Sequence, residues 1–413
     1  MLAALAAMAA AAAWIVIDAA TVGRSPLVPP APQIAPYLAG IGTLLTYDTF
    51  LVALLVMCGC YAAVLALARH LSLRRAWIAI VVLQLIVFAG PVILSQDIFS
   101  YLAYARLPAL HGITPFNHGP AYAATDAVYR YVSVQWKHQP SAYGPLYTLI
   151  SIPAAPVGLV AGMWLLKLEA LVASLGTVWF VVRCAQALER DPVPAALLVG
   201  LNPLVVVYGL GGAHNDLEMM ALLMAAAWFA LRRRDSLAGA AIVVGAGIKA
   251  TAGAMLPFMV LGTRRVAPIV GAAIALVAAA LISYLAFGIH ALDFISVLSR
   301  VQRYVSTDSF PNEVAHLFGK QGVYPFDRTL ISGAVLLVMV YLGWRVWRGY
   351  DWIAATGWSL LLIAVSTTWL LAWYVLWALP MAAIARDRRL LVATLVVQVL
   401  FVAHQISPLL SPV

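Results

Sequence analysis

The 413-residue chain is 64% hydrophobic and 10% charged, with a formal net charge of +9 and a mean hydropathy of +0.95. Apolar stretches of about 18 residues or more recur, which excludes soluble domains and makes one polytopic α-helical membrane protein. Its basic residues are spread over short loops between apolar runs, excluding a nucleic-acid face and following the positive-inside rule instead.

In chain order, residues 2–20 lack a basic n-region and read as a retained span, the alternative being a cleaved signal. A loop with Pro26, Pro29, Pro30, Pro32 and Pro36 follows. A helix over 44–68 ends at Arg69, Arg74 and Arg75, a cytoplasmic end. The next, 76–95, delivers Asp97 to the outer interface. Residues 96–143 mix Tyr, His, Pro and charge and are expected to form a large external loop of short interfacial helices. Residues 145–160, with Pro153 and Pro156, read as interfacial or re-entrant, and 164–182 as a crossing that ends at Arg183 and Arg190. The run 193–211 returns outward and sets His214, Asn215 and Asp216 on the side of Asp97. The following helix descends to Arg232, Arg233 and Arg234.

Residues 237–262 lie between two basic clusters and must cross an even number of times. Two full helices barely fit, so a short broken hairpin is expected, with Lys249 and Thr251 at its apex. The run 267–288 leads to a second external loop, 289–328, and further helices place Arg345, Arg348, Arg386, Arg388 and Arg389 inside. Arg24 falls outside, as do Asp126, Glu218, Asp293, Asp308, Glu313 and Asp327. The fold expected is all-α and polytopic, with about eleven to thirteen transmembrane helices. It divides into N-terminal helices (1–75), a central module (76–328) and C-terminal helices (329–413). Cys58, Cys60 and Cys184 lack metal-ligand spacing and read as packing residues. Lys167 and Glu169 are expected to pair or to face protein, and Asp48 to be structural.

An ionisable group at a membrane boundary costs solvation free energy unless it has a partner or a task. Two large outer loops opposite short inner ones suit an enzyme working at one membrane surface. A lipid-linked saccharide transporter, the alternative, must open to both sides and more often carries internal repeats, of which no convincing one is found.

The strings QDIFSYLAY (Gln96 to Tyr104), YGPLY (Tyr143 to Tyr147), NPL (Asn202 to Leu204), GGAHNDLEM (Gly211 to Met219), GIKATA (Gly247 to Ala252) and WYVLWALP (Trp373 to Pro380) occur in this order. In order and spacing they resemble the bacterial polyprenyl-phosphomannose-dependent α-1,6-mannosyltransferases, members of the GT-C class of membrane glycosyltransferases. The resemblance implies a GT-C-like fold with an acidic residue in the first external loop. It implies inverting transfer of mannose from a polyprenyl-phosphate donor to a glycolipid or glycan hydroxyl, on the extracytoplasmic side of a bacterial cytoplasmic membrane. It gives no reason to require a metal or another cofactor. Helices within 1–75 precede the matching stretch and are expected to be accessory.

Such a transfer needs a carboxylate to take the hydroxyl proton, because an unactivated alcohol is a poor nucleophile. Asp97 is the candidate, flanked by Tyr101 and Tyr104, whose rings suit an interface or a sugar face; the alternative is a helix cap formed by Ser95 or Asp97. His214, Asn215 and Asp216 read as sugar-binding or base-orienting groups, or as an N-cap for a helix over 217–231. A metal site from His214, Asp216 and Asp97 is the weaker alternative. For the donor phosphate the candidates are Lys249, and Arg300 with Arg303 at i, i+3. Their alternatives are a snorkelling lysine and a solvated loop. Trp369, Trp373, Tyr374 and Trp377 would form one aromatic helical stripe, serving as core, as lipid-facing surface or, through Trp373 and Tyr374, as a donor platform.

Overall fold

The computed structural model describes residues 1–21, 25, 27–307 and 309–410, with side chains up to residue 405; Arg24, Pro26 and Asp308 lie outside the described residues. Among these the chain is helical, without a strand. Helix α1 (Leu2–Ala19) packs on α2 (Tyr47–Ala66) and α3 (Leu73–Ala89). The turn that joins α2 to α3 carries the first arginine cluster, and Ser72 caps α3 by accepting the Arg75 N–H. α1 and α2 share one buried core with the later helices.

Helix α4 (Asp97–His111) departs from the expected interfacial form: every residue from Ile98 to Ala105 is buried, so it is sheathed in protein. The rest of the first loop is a series of 3-10 turns over Pro120–Ala123, Tyr129–Tyr131 and Val134–Trp136. The proline-interrupted stretch gives only α5 (Pro145–Ser151) and a 3-10 turn to Ala154. The helix that follows, α6 (Leu159–Ala187), outruns the predicted 164–182 and is the bundle's centre, 56% buried against 11% for the helix Pro325–Trp347.

The predicted continuous helix over 193–211 is broken. α7 (Pro192–Gly200) stops ahead of Asn202 and Pro203, and the chain resumes as a π-helical turn, Val205–Leu210. Pro203 has no N–H and disfavours a helical Asn202; the Asn202 Oδ1 restarts the winding by accepting the Leu204 and Val205 N–H groups at 3.0 and 3.2 Å. Next come α8 (Asp216–Leu231) and the broken hairpin, α9 (Asp235–Ala246), a 3-10 turn Ala250–Ala254 and α10 (Met255–Thr263). As expected, Lys249 stands at its apex.

Helix α11 (Ala267–Phe287) leads to the second loop, with short α12 (Phe294–Val301) and α13 (Phe310–Leu317). The chain closes with α14 (Pro325–Trp347), α15 (Trp352–Ser366), a 3-10 segment Ala372–Leu376, α16 (Leu379–Ile384) and α17 (Arg388–Leu410). Among the described residues six helices, α1, α2, α6, α11, α14 and α17, are long and apolar enough to cross a membrane. The other apolar runs that made up the expected eleven to thirteen form shorter helices, many of them ended by Pro, Gly or Asn breaks.

Side-chain ties gather the basic turns at one end of the bundle. Arg190 donates to the Ile384 and Ala385 carbonyls, Arg265 pairs with Asp235, Arg264 reaches the Trp347 carbonyl, and Asp351 accepts the Arg386 N–H. Asp48 is exposed in the first turn of α2. Lys167 and Glu169 do not pair: Lys167 is fully buried and donates to the Gly90 carbonyl, while Glu169 Oε2 has no partner.

Candidate active site

At the end opposite the arginine turns, the two large loops wall a cavity of about 110 Å³. Asp97, Tyr101 and Tyr104 of α4, Tyr143, the hairpin apex at Lys249, and Trp369, Trp373 and Tyr374 line it. Phe294, Leu298 and Val301 present one face of α12 to it. The second loop is strapped down: Ser306 N–H donates to the Thr368 carbonyl at 2.8 Å and Leu370 N–H to Ser306 Oγ at 3.1 Å.

The charged groups of the site stand at helix starts or breaks: Asp97 and Asp216 open α4 and α8, and Lys249 lies between α9 and the 3-10 turn Ala250–Ala254. Ser95 Oγ accepts the Asp97 N–H at 3.1 Å, so the Asp97 carboxylate is not spent as a cap and points into the cavity, 16% exposed. The GGAHN turn carries Ala213 at φ +52°, and a Cβ on Gly212 would lie 2.4 Å from His214 Nε2. His214, Asn215 and Asp216 are all fully buried. The capping alternative fails here: Asn215 occupies the N-cap of α8 but makes no side-chain cap bond.

His214 Nδ1 lies 3.6 Å from Asp97 Oδ2, and its ring stacks on Trp373 at 3.3 Å and 20°. Tyr101 Oη is 3.5 Å from the same Nδ1 and 3.4 Å from Asn215 Oδ1. Lys249 Nζ donates to Asp216 Oδ1 at 2.6 Å, as does the Trp377 indole N–H, and lies 4.4 Å from the Tyr374 ring centre. Lys249 is thus a paired cation in an aromatic cradle and not a snorkelling one. His214 Nε2, Asn215 Nδ2 and Asp216 Oδ2 are buried without a hydrogen-bond partner, as few buried polar atoms are.

Burial pushes the Asp97 carboxyl up to about 7; the Lys249 ammonium opposes the rise and the Asp216 carboxylate adds to it. Burial, reinforced by the Lys249 charge, holds His214 well below the usual imidazole range. The ring is therefore neutral near pH 7, and its contact with Asp97 is a dipolar one. Burial likewise keeps the Tyr101 and Tyr143 hydroxyls protonated as donors. Among the described residues no group of three or more His, Cys, Asp or Glu is arranged to hold a metal ion.

The structure brings Asp97, Tyr101, Tyr104, His214, Asn215, Asp216, Lys249, Trp373 and Tyr374 together. It leaves out Arg300 and Arg303, which are exposed and absent from the cavity wall; α12 ends at Val301, so the two do not share a helical face. The single aromatic stripe is also corrected. α15 ends at Ser366, and Trp373, Tyr374 and Trp377 reach the site through the 3-10 segment and the turn after it. Sequence reasoning names Trp377 only as part of the stripe and does not name Tyr143, though both stand inside the strings quoted above.

The YGPLY and GIKATA strings meet backbone to backbone. A Cβ on Gly144 would lie 2.0 Å from the Gly247 carbonyl oxygen, so only glycine lets the loop carry Tyr143 against the Lys249 apex. Gly144→Ala should cost about 1–3 kcal/mol or more by overpacking, read as a lower melting temperature in detergent; unchanged melting would mean that the two segments separate freely.

Residues 2–265 match the family described as "Alpha-(1->6)-mannopyranosyltransferase, N-terminal domain", and residues 142–412 match "Glycosyltransferase family 87". The first of these matches takes in α1 and α2. Alpha-(1->6)-mannopyranosyltransferase A of Mycobacterium tuberculosis is 29% identical over 346 residues, 77% of this chain and 65% of that protein. The protein of the same name in Corynebacterium glutamicum is 30% identical over 196 residues, 47% of this chain and 39% of that one. The chain thus spans less than two thirds of the length of these relatives. No solved structure matches it. With each model covering more than half of its residues, the chain belongs to the alpha-(1->6)-mannopyranosyltransferases of glycosyltransferase family 87.

Proposed function

We propose that this cavity transfers mannose from a polyprenyl-phosphate donor to a hydroxyl of a glycolipid or glycan, at the extracytoplasmic face of a bacterial cytoplasmic membrane. The observation that carries the reading is one cavity holding a carboxylate without a cation of its own, Asp97, beside a paired cation, Lys249, under aromatic walls. Asp97 accepts the acceptor's hydroxyl proton as that oxygen bonds to the anomeric carbon. The bond from the anomeric carbon to the phosphate oxygen breaks with it, and polyprenyl phosphate leaves. Direct displacement with one base inverts the anomeric centre. Lys249 takes charge from the departing phosphate, Trp373 and Tyr374 stack on the sugar, and neutral His214 and Tyr101 orient Asp97. The apolar face of α12 borders the path of the prenyl chain.

The test is transfer of radiolabelled mannose from purified polyprenyl-phosphomannose to a membrane glycolipid extract, with the protein in nanodiscs. Transfer is expected. Donor movement between leaflets without transfer would instead establish the transporter.

The pH profile is a second check. A base must be ionised to work, so with its carboxyl at about 7 kcat/KM should be near its plateau above pH 8 and fall roughly tenfold per unit below pH 7. A profile flat from pH 5 to 8 would mean that the base titrates below this range, and the transfer rate of Asp97→Asn then decides whether Asp97 is that base.

A further inference from the structure

The NPL string has no part in the cavity, yet its asparagine is 1% exposed and bonded at both ends. Asn202 Oδ1 restarts the chain into Val205–Leu210, the turn that leads to His214 and Asp216. Its Nδ2 donates to Gln398 Oε1 of α17 at 2.8 Å and is 3.3 Å from Tyr61 Oη of α2. Gln398 Nε2 in turn donates to the Val375 carbonyl at 3.3 Å. Val375 lies in the 3-10 segment that carries Trp373 and Tyr374 and leads to Trp377.

Two interrupted helices thus supply the polar half and the aromatic half of the site, and neither has a continuous backbone ladder to fix its register. Beside the amides lies an apolar groove lined by Leu55, Leu65, Leu395, Val399 and Val402. An amide or carbonyl left unpaired there meets hydrocarbon and not water, so the pairing is enforced. We infer that Asn202 and Gln398 form a positioning brace that sets the Ala372–Leu376 segment against the His214–Asp216 turn, holding Trp373 on His214 and Trp377 on Asp216. Tyr61 belongs to the same network but not to that link: its hydroxyl donates to the Leu198 carbonyl at 2.6 Å, within α7.

The inference rests on the mannosyltransferase reading for its kinetic arm only. Gln398→Met keeps the volume and removes both ties; Tyr61→Phe removes neighbouring hydrogen bonds and spares the link. Both should lower the melting temperature. Only Gln398→Met should lower kcat per folded molecule, by about tenfold or more from misplacement of the reacting groups, and raise hydrogen exchange at 372–376 by mass spectrometry. Equal losses of kcat in Gln398→Met and Tyr61→Phe, or unchanged exchange at 372–376 in Gln398→Met, would overturn the brace. A wild type without transfer sinks the mannosyltransferase reading, and the exchange measurement still decides the brace.

Discussion

Asp97→Asn is expected to lower sugar transfer by about 10³-fold, within the range spanned by general-base catalysis, while leaving the fold and donor binding intact. Asparagine has the shape of aspartate, and the carboxylate is held by no cation whose loss would unfold the site. His214 Nδ1 lies 3.6 Å from it, and His214 keeps its stack on Trp373. Any residual transfer should also lose its pH dependence near 7, because the titrating group has gone. Donor binding and turnover measured side by side decide the matter: turnover within tenfold of wild type would leave the proton without its acceptor, and loss of donor binding would make Asp97 a binding residue.

Lys249→Met should damage stability and donor binding together. Asp216 is fully buried and its Oδ1 is shared between Lys249 and the Trp377 indole. Removing the cation leaves a buried charge without its partner, a loss of about 3–5 kcal/mol. Adding Asp216→Asn removes that charge, so the double variant should regain most of the melting temperature. It should not regain donor affinity, which needs the ammonium for the phosphate. This non-additivity, measured as a double-variant cycle, separates the structural duty of Lys249 from its binding duty. Recovery of donor binding in the double variant would reduce Lys249 to a packing cation.

The broken hairpin around Lys249 was legible because basic clusters bound it on both sides and two full spans barely fit. The placement of His214, Asn215 and Asp216 on the side of Asp97 followed from the same charge pattern. Arg300 and Arg303 lie outside the cavity wall and off a common helical face, because i, i+3 spacing aligns side chains only inside a helix and α12 stops at Val301. The aromatic stripe failed for the same reason, since the chain from Thr367 to Leu376 is extended and then 3-10; its residues still converge, held by tertiary contacts instead of periodicity.

By itself the sequence determined the medium and the sidedness of charge. Apolar length and arginine distribution are one-dimensional quantities, set by bilayer thickness and by the cost of moving charge across it. The tertiary structure alone decided which polar groups share a cavity. Asp97 meets His214, Lys249 meets Asp216 and Trp377, and Asn202 meets Gln398 across separations of 33 to 196 residues. Such pairings arise because a buried polar group must find whatever partner the packing of distant helices brings near.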